Sequence, residues 1–122
     1  MSNPPVISII DDDGSVRAAT YNLVRSLGHI VHTFASAEEF LRSPHLNDTS
    51  CVIADVQMPT MSGLELQAHL LAEGYRMPFI FITAFSVENA RARALRAGAV
   101  KFMTKPLDHG ALLDSVRTAL SI

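Results

Sequence analysis

Short apolar runs alternate along the chain with longer segments in which apolar residues recur every three or four positions. Most of the runs are rich in valine, isoleucine or phenylalanine, and four of the five follow directly on a proline, a glycine or a serine. Such runs are typical of buried β-strands. Five strands are predicted, at Val6–Ile10, His29–Phe34, Cys51–Ala54, Phe79–Thr83 and Val100–Met103.

The segments between and after these runs predict five helices. The first places Val16, Thr20, Leu23 and Leu27 on one face, and Gly28 ends it. The next three helices have candidate N-cap serines, with Glu39 completing a capping box in the second, and these caps are Ser36, Ser62 and Ser86. The predicted inner faces of the third and fifth helices are Leu64, Ala68 and Leu71, and Leu113, Val116 and Leu120.

Regular alternation of strand and helix predicts an α/β fold, with a five-stranded parallel sheet and helices on both of its faces. Right-handed crossovers restrict the topology further. No internal repeat, low-complexity segment or linker divides the sequence. We therefore expect one domain over residues 1–122, with a core at about 6–120.

Composition narrows the class of protein. Hydrophobic residues make up 48% of the chain, enough for a packed core, and the net charge of −2 offers no basic field for nucleic acid. Cys51 is the one cysteine, so no disulfide framework is predicted and a reducing cytoplasm is the expected location. We find no signal-peptide pattern, and no apolar run approaches the roughly 20 residues that a membrane span needs.

Polar residues stand at the carboxyl ends of the predicted strands, where open parallel sheets bind ligands. They are Asp11 and Asp12 after the first strand, Asp55 after the third, Thr83 at the end of the fourth and Lys105 after the fifth. In the order 2-1-3-4-5, borrowed from known doubly wound folds, the three acids become neighbours. Two carboxylates about 4 Å apart repel by roughly 4 kcal/mol at an effective dielectric of about 20. Hard oxygen ligands without histidine or cysteine suit Mg²⁺, which would remove that repulsion.

The same residues are suited to phosphoryl chemistry. A carboxylate such as Asp55 can attack phosphorus and form an acyl phosphate. A metal ion and the amine of Lys105 would neutralise charge on the transferring group, while the hydroxyl of Thr83 would hold one of its oxygens. Taken singly, these three residues would be a turn residue, a solvated surface charge and a strand-end hydroxyl, so only the set as a whole indicates function.

The ordered motifs resemble those of response-regulator receiver domains over about residues 6–120. They are Ile10-Asp11-Asp12, Asp55 with Met58-Pro59 and Ser62-Gly63 after it, Thr83-Ala84 and Lys105-Pro106. Each motif is weak alone, but the complete set in this order and spacing is specific. The resemblance implies a flavodoxin-like, CheY-like three-layer αβα sandwich with the strand order 2-1-3-4-5.

By this resemblance, Asp55 is the phosphoacceptor of a two-component phosphorelay. A sensor histidine kinase or a phosphotransfer protein is the expected partner that supplies the phosphoryl group. The resemblance also implies that Mg²⁺ is the cofactor, held by Asp11, Asp12, Asp55 and the backbone carbonyl of Gln57. The chain is then a phosphoacceptor switch that promotes only its own phosphorylation and dephosphorylation, and not an enzyme.

The remaining motif residues have implied roles in switching. Thr83 and Lys105 contact the phosphoryl group, Phe102 occupies the switch-aromatic position, and the Lys105–Pro106 bond is cis. Phosphorylation is expected to reshape the surface of the fourth helix, fifth strand and fifth helix, which receivers use for partners or homodimers. That surface would control an output domain, such as a DNA-binding one, or a partner protein. The domain itself is expected to bind neither membrane nor nucleic acid.

Several residues have more than one reading. Asp13 is either a further acid of the metal site or a solvated residue before the helix. Arg91, Arg93 and Arg96 are most simply a solvated helix face, and otherwise belong to the partner surface. Phe85, two residues after Thr83, is hypothesised to restrict water at the acyl phosphate and so slow its hydrolysis.

Two rival functions come from other classes. An aspartyl-nucleophile phosphatase would turn over phosphate esters, but that family typically has Asp-x-Asp, and Gln57 stands in place of the second aspartate. A flavodoxin-like carrier would need a loop that cradles phosphate after the first strand, where this chain has an acidic loop that would repel the flavin phosphate.

Overall fold

The computed structural model describes residues 4–84 and 88–121. Within them, five strands alternate with five helices, as predicted. The strands are β1 (Val6–Ile10), β2 (Ile30–Phe34), β3 (Cys51–Asp55), β4 (Phe79–Thr83) and β5 (Lys101–Thr104). The helices are α1 (Gly14–Arg25), α2 (Ala37–Arg42), α3 (Gly63–Ala72), α4 (Glu88–Arg96) and α5 (His109–Leu120). The predicted α4 cap and the hypothesis on hydrolysis fall on Ser86 and Phe85, which lie outside the described residues.

The strands form a parallel sheet in the order β2-β1-β3-β4-β5, which confirms the predicted order. Ile10 of β1 is paired with Ala54 of β3, and Asp55 is paired with Ile82 of β4. Asp11 therefore leaves β1 beside Asp55, at the point where the strand order reverses.

Apolar side chains fill both faces of the sheet. One core packs side chains of α2, α3 and α4 against it, including Phe40 and Leu70, and the other packs α1 and α5, including Val24 and Leu112. Each fully buried side chain of this size contributes about 1.5–3 kcal/mol. All five residues of β3 are buried, because this central strand is covered on both sides. The predicted three-layer architecture is confirmed.

The predicted inner face of α3 is wrong for most of its residues. Leu64 is buried as predicted, but Ala68 and Leu71 are exposed, and the core contacts come from Leu66 and Leu70. Four leucines in this helix allow two apolar stripes, so helical spacing alone cannot choose between them.

The predicted inner face of α5 is displaced by one position. Val116 is buried as predicted, whereas Leu113 and Leu120 are only half-buried. Leu112 and Ala119 take the central places against the sheet. Leu113 and Leu120 each follow directly on a buried residue, so the helix is rotated by about a quarter of a turn from the predicted orientation.

The serine caps predicted for α2 and α3 are confirmed. In α2 the hydroxyl oxygen of Ser36 accepts from the amide of Glu39 at 3.1 Å, which is the Ser36 half of the predicted capping box. In α3 the contact is reciprocal, because Ser62 and Glu65 each accept from the other's backbone amide. Gly28 follows α1 with φ of 88°, a left-handed conformation that glycine adopts without strain. None of the described helices is long and apolar enough to cross a membrane.

Candidate functional site

Three carboxylates converge at the carboxyl edge of the sheet, as the strand ends predict. Oxygens of Asp11, Asp12 and Asp55 lie within 4.8 Å of one another. Asp11 and Asp55 are buried, and Asp12 is exposed. Buried like charges this close repel strongly because the surrounding dielectric is low, so the site needs a compensating positive charge.

Lys105 supplies that positive charge. Its Nζ lies 3.1 Å from Oδ2 of Asp55 and 3.3 Å from Oδ2 of Asp11. Burial lowers the pKa of Lys105, but its hydrogen bonds and its attraction to both carboxylates outweigh burial and raise that pKa above its ordinary value. Burial raises the pKa of Asp11, and repulsion from Asp55 acts in the same direction, so the contact with Lys105 offsets only part of the cost of burying that acid.

Backbone amides fix the orientation of the two buried acids. The amide of Gln57 donates to Oδ1 of Asp55 at 3.1 Å, and the amide of Asp13 donates to Oδ1 of Asp11 at 2.9 Å. Each carboxylate thus accepts from the residue two positions ahead, which is an Asx turn. The second oxygen of each acid is then turned towards Lys105. That the carbonyl of Gln57 binds a metal stays a prediction.

Asp13 has a structural task. Its Oδ1 accepts from the amides of Ser15 and Val16, at 2.9 Å and 3.3 Å, so this residue is the N-cap of α1. Such a cap contributes about 1 kcal/mol. Asp13 is exposed, in agreement with the reading of a solvated residue before the helix.

Thr83 and Lys105 meet at the ends of β4 and β5. Thr83 is buried, and its backbone carbonyl accepts from the amide of Lys105 at 2.7 Å. The peptide bond between Lys105 and Pro106 is cis, which confirms the prediction. The structure therefore places the predicted hydroxyl and amine on adjoining segments at the same edge as the acids.

Phe102 lies inward in β5. Its side chain is buried, and its ring centroid is 6.3 Å from that of Phe81 in β4. Nη1 of Arg91 in α4 donates to the carbonyl of Phe102 at 3.3 Å. Phe102 is thus part of the core and is joined to α4, and Arg91 is more than a solvated charge; that Phe102 acts as a switch stays a prediction.

Two residues for which sequence analysis found no physical role contact the site. Nη1 of Arg17 donates to the backbone carbonyl of Asp11 at 2.6 Å. A Cβ atom on Gly63 would lie 2.3 Å from the backbone carbonyl oxygen of Asp55. Both contacts depend on how closely separate backbone segments approach, and neither residue type nor spacing signals that distance.

The donor set fits a hard divalent cation. It consists of carboxylate oxygens from Asp11, Asp12 and Asp55 within 4.8 Å of one another. Mg²⁺ prefers oxygen ligands and keeps several waters when it binds through a few carboxylates. The exposed position of Asp12 leaves that side of the cluster open to water or to phosphate oxygens.

Residues 7–117 match the family model of the response regulator receiver domain. Among curated proteins, the response regulator protein TodT of Pseudomonas putida is 43% identical over 117 residues, which are 96% of this chain and 52% of that protein. The transcriptional regulatory protein FixJ of Azorhizobium caulinodans is 37% identical over 114 residues, which are 93% of this chain and 54% of that protein. The chain spans about half the length of these relatives.

Solved structures give the same grouping. The response regulator StyR superposes with a TM-score of 0.89 at 40% identity, over 98% of this chain and 60% of that one. The FixJ-N crystal structure superposes with a TM-score of 0.85 at 28% identity, over 99% of this chain and 96% of that one.

Proposed function

Because this chain belongs to the receiver domains of response regulators, we propose that Asp55 accepts a phosphoryl group from a sensor histidine kinase or a phosphotransfer protein. The observation that carries the proposal is the bridge from Lys105 to Asp55 and Asp11 at 3.1 Å and 3.3 Å. It sets a protonated amine against the acid that ends the central strand, where negative charge would grow during phosphoryl transfer.

In the proposed transfer, a carboxylate oxygen of Asp55 attacks phosphorus as the bond between phosphorus and the donor's imidazole nitrogen breaks. The electron pair of that bond stays on nitrogen, which leaves as neutral imidazole when the other ring nitrogen carries a proton, and Asp55 becomes an acyl phosphate. Lys105 balances charge on the phosphoryl oxygens, and Thr83 donates its hydroxyl to one of them. The chain promotes its own phosphorylation and the later hydrolysis, and it turns over no separate substrate.

Asp11, Asp12, Asp55 and the backbone carbonyl of Gln57 would hold Mg²⁺. When bound, the ion supplies positive charge that neutralises the transferring phosphoryl group. The proposal is supported by the all-oxygen donor set and by the raised pKa of Asp11, since a buried acid near a second acid gains from a cation. The Asx turns at Asp11 and Asp55 hold the two carboxylates in place for this task.

The proposed output is a shift in population between two conformations of the surface formed by α4, β5 and α5. The phosphoryl group favours the active conformation by drawing Thr83 towards it and retaining Phe102 inside the core. Phe102 is already buried in the described conformation, and Arg91 ties α4 to its backbone. Phosphorylation would therefore act by stabilising this arrangement relative to others that the free domain visits.

The same surface is the proposed site of a homodimer or of contact with an output domain. Curated relatives about twice as long include one named a transcriptional regulatory protein, so DNA binding through a further domain is the output that we propose first. We place the exchange in the cytoplasm, where the single buried thiol of Cys51 would stay reduced.

Intact-mass spectrometry with acetyl phosphate and Mg²⁺ tests the acceptor. The wild type should gain one phosphoryl group, and Asp55→Asn should gain none. Asp114→Asn is the control, because Asp114 is exposed and forms a surface ion pair with Arg117. A phosphoryl group that still attaches to Asp55→Asn would refute the assignment, and steady turnover of phosphate esters would favour the phosphatase reading instead.

A further inference from the structure

We propose that Arg17 is a positioning residue, which holds the acidic loop (residues 11–13) so that Asp11 and Asp12 keep their places beside Asp55. This inference rests on the proposed function, because it concerns the same Mg²⁺ and phosphoryl site. Arg17 lies in the first turn of α1, and its contact is with the backbone of the loop. It would therefore act through the acids it holds and not on the reacting atoms.

The peptide groups of Asp11 are fixed on both sides. Its amide donates to the carbonyl of Phe34 at 3.1 Å, which extends the pairing of β1 with β2 by one step. Its carbonyl accepts from Nη1 of Arg17 at 2.6 Å, in a partly buried bond. A hydrogen bond from a charged donor is roughly twice as strong as one between neutral groups. Arg17 therefore fixes the point at which the chain leaves the sheet.

The other end of the loop is tied to the same helix. The amide of Arg17 donates to the carbonyl of Asp13 at 2.9 Å, as the first helical hydrogen bond of α1. Arg17 thus binds the loop twice, once through its backbone and once through its side chain, and Asp12 lies between the two points. Because Asp12 is exposed, the direction of its side chain depends on the peptides beside it. Loss of the side-chain contact should loosen Asp12 as well as Asp11.

The choice of a carbonyl as acceptor matters for a cation site. A guanidinium bound to the carboxylate of Asp11 would compete with a metal ion for its oxygens. Bound to the carbonyl, Arg17 leaves those oxygens to the amide of Asp13 and to Lys105. The positive charge of Arg17 nevertheless repels Mg²⁺. Positioning and charge therefore predict opposite effects when Arg17 is neutralised, namely weaker Mg²⁺ binding for positioning and tighter binding for charge alone.

Titration of Mg²⁺ into the unphosphorylated ¹⁵N-labelled protein, followed by NMR, measures the difference. We expect Arg17→Met to raise the Mg²⁺ dissociation constant by about tenfold, as loss of a residue behind a metal ligand typically does. Arg25→Met is the matched control. Arg25 is in the last turn of the same helix, is exposed, and stacks over Tyr21 at 5.8 Å, away from the acids. The Mg²⁺ dissociation constant of Arg25→Met should stay within about twofold of the wild-type value.

Unfolding by urea without Mg²⁺ verifies that the variants are folded. If Arg17→Met does not fold, Arg17→Gln carries the test, since its shorter neutral side chain cannot span the same distance. An unchanged or lower Mg²⁺ dissociation constant in a folded Arg17 variant overturns the proposal. An equal loss of Mg²⁺ affinity in Arg25→Met also overturns it. A wild type that binds no Mg²⁺ and takes no phosphoryl group would overturn the proposed function itself.

Discussion

Replacing Gly63 by alanine is expected to disturb Asp55, although alanine is the better helix residue. Gly63 is the first residue of α3, and its amide donates to the carbonyl of Val56 at 2.8 Å. This contact brings the helix directly against the turn after β3. A Cβ atom at position 63 would meet the carbonyl oxygen of Asp55 at 2.3 Å and Cε1 of Phe81 at 3.0 Å.

The steric term should exceed the gain in helix propensity. Ordinary contact begins at 3.4 Å and the added Cβ would lie only 2.3 Å from the carbonyl oxygen, so the helix or the carbonyl must move by about 1 Å. Overpacking of this kind costs typically 1–3 kcal/mol. Alanine gains at most about 1 kcal/mol over glycine in a helix. We therefore expect Gly63→Ala to lower the free energy of unfolding by about 1–2 kcal/mol and to displace the backbone of Asp55 away from α3.

Two measurements separate packing from function. Urea unfolding without Mg²⁺ gives the change in stability, and initial rates with acetyl phosphate at saturating Mg²⁺ give the change in reactivity of the folded protein. A displacement near 1 Å at a reacting group can slow a reaction by as much as about a hundredfold, and we expect at least about tenfold here. Gly110→Ala is the control, because the nearest atom to its Cβ would be Oδ1 of Asp108 at an ordinary 3.5 Å.

Two results would refute this reasoning. If Gly63→Ala is as stable as Gly110→Ala, the contact with the carbonyl of Asp55 relaxes without cost. If Gly63→Ala is less stable but reacts at the wild-type rate per folded molecule, Gly63 serves packing and does not position the acid.

Three further predictions test the site and the core. Asp11→Asn should raise the free energy of unfolding in Mg²⁺-free buffer at pH 7 by on the order of 1 kcal/mol, because burial raises the pKa of Asp11. The folded wild type holds the carboxyl proton of Asp11 more tightly than the unfolded chain does, so the stability of the wild type falls as pH rises from 3.8 through the raised pKa. The difference in free energy of unfolding between Asp11→Asn and the wild type should therefore grow over that pH range, as measured by urea titrations at a series of pH values. Phe102→Ala should lower the same free energy by about 3 kcal/mol, because its ring is buried, and a loss within error of zero would contradict the packing. The thiol of Cys51 should resist an aromatic disulfide reagent at mildly alkaline pH until urea unfolds the protein, because burial raises its pKa to about 12; rapid labelling of the folded protein would contradict its burial.

The fold was predictable because its strands are short and continuous. In a parallel sheet covered on both sides, every residue of a central strand is buried, so the predicted strand Cys51–Ala54, which the structure extends to Asp55, needs no alternation to be recognised. The faces of α3 were not predictable, because the buried stripe includes Gln67. Its Nε2 donates to the carbonyl of Ala94 in α4 at 3.2 Å, and this tertiary hydrogen bond lets a polar residue occupy an inner position.

The acids and the amine of the site were predictable from their places at strand ends, because register carries them to one edge. For Asp11, Asp55 and Lys105, the strand order was the only further information that the prediction needed. The observed order and the distances from Lys105 to the two acids confirm that the three residues lie together. The supports of the site were not predictable in this way. Arg17 reads as one more charge on the outer side of a helix, and Gly63 as part of a short motif without a physical role of its own, until the distance to the neighbouring backbone is known.

Lys105, three positions after Phe102, joins the acidic site to the strand that carries this buried ring. Its amine bridges Asp55 and Asp11, while its amide donates to the carbonyl of Thr83 at 2.7 Å. An acyl phosphate carries more negative charge than the carboxylate it replaces, so an amine shared by two acids must take new partners when Asp55 is modified. Because the backbone of Lys105 is fixed to β4 and continuous with β5, we expect that change to reach the strand that positions Phe102. In the proposed function, the same short segment would respond both to charge at the acids and to packing in the core, which is the physical requirement for a phosphoryl group to bias the α4–β5–α5 surface.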